Sequence, residues 1–372
     1  MKYRMNVTKI SIYQLITLLT LFLLGSSIVL GLNLEAEENA WLINSGAAIT
    51  GVLLFFFYAY LLKRNGWPEF HKLLEQAFGK FLGKAILILY SLYFLYIGTR
   101  VLKDFVYFIT QTFYYNIDHW IIAFVSVCLI CYAATLGLEA VARTSELLFI
   151  FTFLLIALIV FFSFLSGVMI GENIRPIIDL EILDLSKWIQ YITFPYGEMV
   201  VFLVLFPFLN DHQKLMKQGW MAVLFSGVIL ISITEIIIAI LGAKVASLYT
   251  YPLVKAIEMI EFLGIIQHLE LLTAFAFIIV GFVKVSIFFI AGSKGVSYIF
   301  PILQEKFIII ILGALMFIGN YVISRDLPEH LFIGLELVPL YLHVPFQFIL
   351  PLLILIITWI KGIKNKSNGV GY

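Results

Sequence analysis

Long apolar stretches alternate with short polar connections along almost the whole chain. Ten of these stretches have the 18 or so residues that a helix needs to cross a bilayer, and we place them near 10–32, 40–62, 85–114, 119–137, 144–168, 189–209, 219–242, 267–292, 307–324 and 333–360. The alternation typical of a membrane β-barrel is absent, and lipid offers the backbone no hydrogen-bond partners. The pattern predicts an all-α integral membrane protein, with 1–372 as one transmembrane domain that ends in a cytoplasmic tail at 361–372.

Composition narrows the possible function classes. Hydrophobic residues make up 62% of the chain and charged residues 13%, far below the roughly 25% charged residues of soluble domains. A net charge of +1 and the lack of basic runs interleaved with aromatics exclude nucleic acid as a partner. Cys128 and Cys131 have no further ligands nearby and are interpreted as small buried side chains. Because no hydrolase, phosphate-loop or zinc-protease motif occurs, we expect neither an enzyme nor a bound metal or cofactor.

The distribution of basic residues predicts the orientation in the membrane. Sixteen of the 24 lysines and arginines lie on the side that carries both chain ends, and five lie in the opposite loops. Since cytoplasmic loops are enriched in Lys and Arg, both termini are expected to be cytoplasmic. The stretch from Pro68 to Lys84 is expected to form an amphipathic helix along this cytoplasmic surface.

The sixth apolar stretch contains the segment "ITFPYGEMVV" at 192–201. Pro195 lacks a backbone N–H and Gly197 tolerates backbone dihedrals that break a helix, so the helix should be discontinuous there. Freed backbone groups are tolerated only where protein or a water-filled cavity receives them, which favours a binding site. The alternative is a proline kink in which Glu198, near the middle of the stretch, forms a structural ion pair.

The first apolar stretch is interrupted in a similar way by "LLGSSIVL" at 23–30. Transporters built from two inverted five-helix repeats break the first helix of each repeat and bind substrate between the breaks. The ten stretches divide into two such repeats, at about 10–168 and 189–360, which places a break in helices 1 and 6. Small residues at this position are equally typical of helix–helix packing, which is the alternative interpretation.

Polar residues within the apolar stretches need partners inside the bundle. The third stretch carries a polar stripe at three- and four-residue steps, which either lines a solvated path or holds the bundle together through an Arg100–Asp104 ion pair. Lys284 and Glu235 are isolated charges, and we expect Lys284 to approach Glu198 directly or through water. The alternative for that pair is a static role in folding. The stripe consists of Tyr93, Tyr96, Arg100, Lys103, Asp104, Tyr107 and Gln111.

Five segments resemble the B-subunit proteins of spore germinant receptors, a branch of the amino acid–polyamine–organocation transporter superfamily. They are "GSSIVL", "EENAWL", "FGKFLGKAI", "GLEAVARTSELL" and "FPYGEMVVFLVLFPFL", and the resemblance runs almost end to end. It implies a LeuT-like bundle in the inner membrane of a dormant bacterial spore. Such a subunit recognises a small germinant, commonly an amino acid, together with A and C receptor subunits. A proton-coupled amino acid transporter is the alternative function.

The expected ligand site lies between the two helix breaks. Backbone groups of both breaks should meet the polar groups of the ligand, two tyrosines should form the side walls, and four charged residues should couple binding to the rest of the protein. The backbone set is Gly25, Ser26, Ser27, Phe194, Pro195, Tyr196 and Gly197, the walls are Tyr93 and Tyr96, and the charged set is Glu198, Lys284, Arg100 and Asp104.

Overall fold

The protein, represented by a computed structural model, is a bundle of helices, and the structure describes residues 9–114, 116–174, 187–260 and 268–367. The α-helices are α1 (Ile12–Leu24), α2 (Ser27–Leu30), α3 (Ala40–Arg64), α4 (Phe70–Thr112), α5 (His119–Leu136), α6 (Leu138–Leu165), α7 (Trp188–Thr193), α8 (His212–Gln218), α9 (Trp220–Leu241), α10 (Ala243–Ala246), α11 (Pro252–Glu258), α12 (Glu270–Ile299), α13 (Glu305–Val322), α14 (Leu327–Phe332) and α15 (Leu350–Ser367). Tighter 3₁₀ turns cover Leu34–Asn39, Gly171–Ile174, Gly197–Leu203 and Phe206–Phe208, and wider π-helical turns cover Ile333–Leu337 and Pro339–Ile349.

Among the described residues, nine stretches are long and apolar enough to cross a membrane as helices. The tenth predicted crossing, near 189–209, is present as α7 followed by 3₁₀ turns. An all-α membrane protein of about ten crossings, with the first and sixth interrupted, is therefore confirmed. Several boundaries differ from the prediction: α6 begins at Leu138, before the predicted start at 144, α12 continues to Ile299, beyond the predicted end at 292, and α15 continues to Ser367, into the predicted tail.

The first crossing begins with a strong cap and is broken near its far end. The Ser11 side chain accepts a hydrogen bond from the Gln14 amide while the Gln14 side chain accepts one from the Ser11 amide, which satisfies two free amides at once. Helix α1 then ends at Leu24, and the next residue, Gly25, has a φ of 27° and a ψ of −135°. This backbone conformation strains any residue with a Cβ, so glycine permits the break and the short helix α2 follows it.

The sixth crossing is broken between α7 and the 3₁₀ turns. Phe194 is extended, with φ −125° and ψ 123°, and the Phe194–Pro195 peptide bond is cis. The following turns from Gly197 to Leu203 are completely buried, and the Tyr58 hydroxyl donates to the Gly197 carbonyl at 3.4 Å. The Phe22 and Phe202 rings, 5.1 Å apart, bring the two broken crossings side by side.

Helix α4 contains both the predicted surface helix and the third crossing. The two parts meet at Gly79, whose φ of 80° and ψ of 172° are not helical. A Cβ on Gly83 would lie 3.0 Å from the Glu75 backbone, so the first part folds back against the second. Phe81 lies beyond this turn and is 91% exposed.

Helices α4 and α12 pack closely at the centre of the bundle. Gly98 of α4 lies against Phe288, and Gly292 of α12 lies against Leu95. Small residues let two helix backbones approach in a membrane, where dispersion contacts drive helix association. This close packing brings the polar stripe of α4 and Lys284 of α12 toward the two helix breaks.

Candidate functional site

Lys284 extends from α12 to the break of the first helix. A Cβ on Gly25 would overlap the Lys284 Cδ atom and lie 3.1 Å from its Nζ. The glycine therefore has a second role besides its strained backbone, because it leaves space for the lysine side chain. The structure brings Gly25 into contact with Lys284. The sequence analysis had placed Gly25 in the backbone set of the ligand site and Lys284 in the charged set.

Lys284 Nζ lies 2.5 Å from Glu198 Oε2, next to the break of the sixth helix. Their side chains are 0% and 3% exposed, and neither atom has a hydrogen-bond partner other than this contact among the described residues. The ammonium also lies 5.3 Å from the Phe22 ring centre and 4.8 Å from that of Phe194, distances at which cation–π attraction operates. One buried ion pair thus joins α12 to both breaks.

The two serines of the first break differ in their contacts. The Ser26 hydroxyl donates to Asp104 Oδ2 of α4 at 3.0 Å, whereas the buried Ser27 Oγ has no hydrogen-bond partner in the described part of the chain. Asp104 Oδ1 lies 2.7 Å from His330 Nε2. Ser26, Asp104 and His330 therefore form a chain of polar contacts from the first break to the start of the last crossing.

Arg100 and Asp104 do not form an ion pair with each other. Arg100 Nη2 donates to the His330 carbonyl, and its guanidinium carbon lies 5.9 Å from the Tyr96 ring centre. The i,i+4 spacing allows a pair on an isolated helix, but His330 supplies partners to both side chains and separates them. This finding corrects the interpretation of an Arg100–Asp104 pair.

His330 is a functional candidate that the sequence analysis did not single out. It is 1% exposed and contacts Asp104, Arg100 and, at 3.4 Å, the Ser324 hydroxyl. The signal was present in "RDLPEH": Asp326 caps α14 and a proline opens it, which places His330 in the first turns of a crossing helix.

The two tyrosines expected as side walls lie away from the space between the breaks. Tyr93 stacks on Phe346 at 4.6 Å, and its hydroxyl bonds with His343 Nδ1 at 2.8 Å and accepts from Gln347 at 3.0 Å. Tyr96 is half-buried beside Arg100. The walls are formed one turn further along α4, by Ile97 and Val101.

The residues of the sixth break point in different directions. Tyr196 packs against Gly51 of α3 and Gly227 of α9, and the Gln347 amide lies against Gly197. Pro195 is buried, and Phe194 is half-buried at the edge of the space between the breaks. Phe194 and Glu198 therefore face the expected site, whereas Tyr196 and Gly197 serve helix packing.

A small inner cavity lies beside the two breaks, and larger cavities lie on either side of it. The inner cavity, about 50 Å³, holds one or two waters at about 30 Å³ each. The cavity on the predicted outer side is about 330 Å³ and the one on the predicted cytoplasmic side about 280 Å³. The walls of the inner cavity must separate before an amino acid can fit there. The inner cavity is lined by Leu30, Ile97, Arg100, Val101, Asp104, Phe194, Glu198, His330, Leu331, Gly334, Leu335, Val338 and His343.

Different barriers separate the inner cavity from its neighbours. Leu30, Phe194, Leu331 and Leu335 line both the inner and the outer cavity, so this barrier is one side chain thick. Toward the cytoplasmic side stands an aromatic layer in which Phe288 contacts Phe22 at 5.1 Å and Phe94 at 6.4 Å, and Phe346 contacts Tyr90 at 5.1 Å. The thinner barrier predicts that ligand enters from the outer side.

Among the described residues no group of three His, Cys, Asp or Glu side chains is arranged to hold a metal ion.

Comparison with known proteins gives consistent matches along the chain. The model of a family described as spore germination protein matches residues 9–326. Spore germination protein KB of Bacillus subtilis (strain 168) is 32% identical over 371 residues, 98% of this chain and 99% of that protein. Putative spore germination protein YfkT and spore germination protein YndE of the same organism are 22% and 23% identical, over 73% and 71% of this chain and 74% and 72% of their own.

A solved structure supports the fold. A Na⁺-coupled sialic acid symporter in a substrate-bound, outward-open state superimposes with a TM-score of 0.66, covering 93% of this chain and 79% of the symporter at 12% sequence identity. At that identity the likeness extends to the fold alone. It agrees with a LeuT-like, transporter-type bundle whose first and sixth helices are interrupted.

Proposed function

Because this chain belongs to the spore germination protein family of spore permeases, we propose that it is the membrane subunit of a germinant receptor. It lies in the inner membrane of a bacterial spore with both termini in the cytoplasm, and assembles there with an A and a C subunit. A small germinant, an amino acid, binds between the interrupted helices and triggers germination. The family and the fold are those of membrane permeases, which supports a role without enzymatic activity.

One observation carries this proposal: the buried Lys284–Glu198 pair links both helix breaks beside a cavity that a single layer of side chains closes from the outer side. Charged residues inside a membrane are costly and mark ligand pathways or moving parts. A ligand that enters between the breaks changes the surroundings of this pair. Movement of Lys284 on α12 then transmits occupancy to the rest of the receptor.

The ligand contacts in this proposal follow the geometry of the site. The backbone of Gly25 to Ser27, together with Phe194 and Glu198, faces the ligand, and Ile97 and Val101 form the apolar wall. A ligand shifts a two-state equilibrium only by its differential affinity for the two states. Closing an expanded site around an amino acid supplies that difference, because the closed inner cavity is too small to hold one.

The proposal is tested in spores and with the purified chain. Spores that carry the chain with its receptor partners should germinate with at least one of the twenty L-amino acids. Spores that lack only this chain should lose that response and regain it on complementation. A response that persists without the chain would contradict the receptor role.

A proton-coupled amino acid transporter is the second candidate function, favoured by the symporter-like fold and by cavities on both sides of the inner one. Uptake of labelled amino acid into vesicles that contain the purified chain separates the two functions. A receptor binds the amino acid without accumulating it, whereas a coupled transporter accumulates it when a proton gradient is imposed.

A further inference from the structure

Arg100 is a buried cation without a counter-ion in the described part of the chain. The residue is 6% exposed, and its Nη1 atom is buried without a hydrogen-bond partner among the described residues. Its Nη2 atom donates to a neutral backbone carbonyl, that of His330. No described carboxylate lies within the 4.0 Å of an ion pair to the guanidinium, whereas Lys284 has Glu198.

The surroundings of Arg100 hold its guanidinium in place at the wall of the inner cavity. Gly334 lies against the guanidinium group, so that a Cβ there would overlap it, and the Tyr96 ring lies on its other side. Neither acid of the same cavity pairs with Arg100: Glu198 pairs with Lys284, whereas Asp104 contacts the Ser26 hydroxyl and the His330 ring and has no lysine or arginine partner among the described residues. An uncompensated buried charge is costly, and Arg100 lines the inner cavity.

We propose that Arg100 binds the carboxylate of the germinant through its free Nη1 atom, while Asp104, one turn away on the same wall, binds the ammonium group. This inference rests on the proposed function and assigns the ligand class within it, a zwitterionic amino acid with both charged groups engaged. The guanidinium presents donors in a planar fork that matches a carboxylate. Helix α2, with four residues, supplies too few aligned amides for this task, so α4 provides the charge recognition.

The experiment measures ligand-induced thermal stabilisation of the purified full-length chain. The ligands are the twenty L-amino acids, their carboxamides and the corresponding decarboxylated amines. We expect at least one amino acid to stabilise the wild-type chain through binding to the folded state, and its carboxamide and its amine to do so far more weakly. Equal stabilisation by acid and amide would overturn the inference while leaving the proposed function intact.

Variants of Arg100 test the assignment directly. Arg100→Gln should raise the Kd of the amino acid roughly 10- to 10²-fold, the value of a lost hydrogen bond to a charged group, and should leave the Kd of the carboxamide nearly unchanged. Arg100→Lys retains the charge without the planar fork, and we expect an intermediate loss of acid-over-amide preference. This second variant keeps the test decisive if the first variant does not fold.

Lys103→Gln is the matched control. Lys103 lies on the same helix, is also 6% exposed, and donates to the Ser324 carbonyl at 2.5 Å, but does not line the inner cavity. Its replacement should leave the acid-over-amide preference unchanged. A preference retained in both Arg100 variants, or lost equally in Lys103→Gln, would overturn the assignment. Failure of every amino acid to stabilise the wild-type chain would contradict the amino acid class of the proposed function and, with it, this inference.

Discussion

Removing one partner of the buried Lys284–Glu198 pair should destabilise the fold strongly. In Lys284→Met the Glu198 carboxylate stays 2% exposed with Phe22 and Phe194 in place of its counter-ion. Breaking a buried pair in this way costs about 3–5 kcal/mol, which lowers the folding equilibrium constant by roughly 10²- to 10⁴-fold at 1.4 kcal/mol for each factor of ten. Little of the Lys284→Met chain should therefore accumulate in the membrane.

Replacing both partners should restore the fold. The double variant Glu198→Met, Lys284→Met leaves no unpaired charge, and two methionines approximate the volume of the original side chains beside two phenylalanine rings. Such apolar replacements of buried pairs are often neutral or stabilising. The assays are the amount of chain in the membrane and the thermal unfolding midpoint of the purified chain. Wild-type stability of Lys284→Met, or a double variant as unstable as the single ones, would refute this electrostatic argument.

The same double variant separates a folding role from a signalling role. If the pair reports ligand occupancy, the stable double variant should bind amino acid and fail to trigger germination. A normal germination response in that variant would show that the pair serves the fold alone. Binding is measured on the purified variant and germination on spores that carry the same variant, so the two outcomes are distinct.

Three further changes test the two breaks and the outer barrier. Gly197→Ala places a Cβ onto the Gln347 amide, and overpacking of this kind costs about 1–3 kcal/mol; we expect a lower unfolding midpoint that Gln347→Ala restores. Gly25→Ala should reduce the germination response far more than Gly137→Ala. Both glycines have positive φ, so both variants strain the backbone, but only Gly25 has Lys284 against it. Phe194→Ala thins the outer barrier, so stopped-flow measurements should show faster ligand association and dissociation, whereas unchanged rates would exclude a gating role.

The helix breaks could be predicted from the sequence because their causes are local. Pro195 lacks an amide proton and Gly25 adopts a conformation that strains other residues, and both properties belong to the residue itself. The approach of Lys284 to Glu198 was predictable for a different reason. Two isolated charges in apolar helices have few possible partners, and the cost of leaving either alone restricts the arrangement.

The contacts among Arg100, Asp104 and His330 could not be predicted in the same way because they depend on tertiary structure. Arg100 and Asp104 are one turn apart, so local reasoning favoured a direct pair, but His330 from a crossing more than two hundred positions later takes both contacts. Tyr93 faces the last crossing for the same reason, since Gln347 and His343 offer it hydrogen bonds. The polar residues of α4 can be picked out from the sequence, but the direction of each side chain is decided by helices distant in sequence.

Sensing and transport differ in what they require of the barriers around the inner cavity. Transport requires both barriers to open in turn, whereas sensing requires only that ligand enter from one side and bias one arrangement of the bundle. The barrier on the predicted cytoplasmic side is an aromatic layer, and the backbone of Ile10 exchanges hydrogen bonds of 2.9 and 3.0 Å with Phe208 and Asn210, which ties the ends of both broken helices together on that side. A receptor that moves from about 1:99 to 99:1 needs roughly 5.5 kcal/mol of differential affinity. In the proposed binding mode, an amino acid held at both charged ends supplies energy of that order through charge-assisted hydrogen bonds of about 1.5–3 kcal/mol each, and the barrier on the predicted cytoplasmic side need not open.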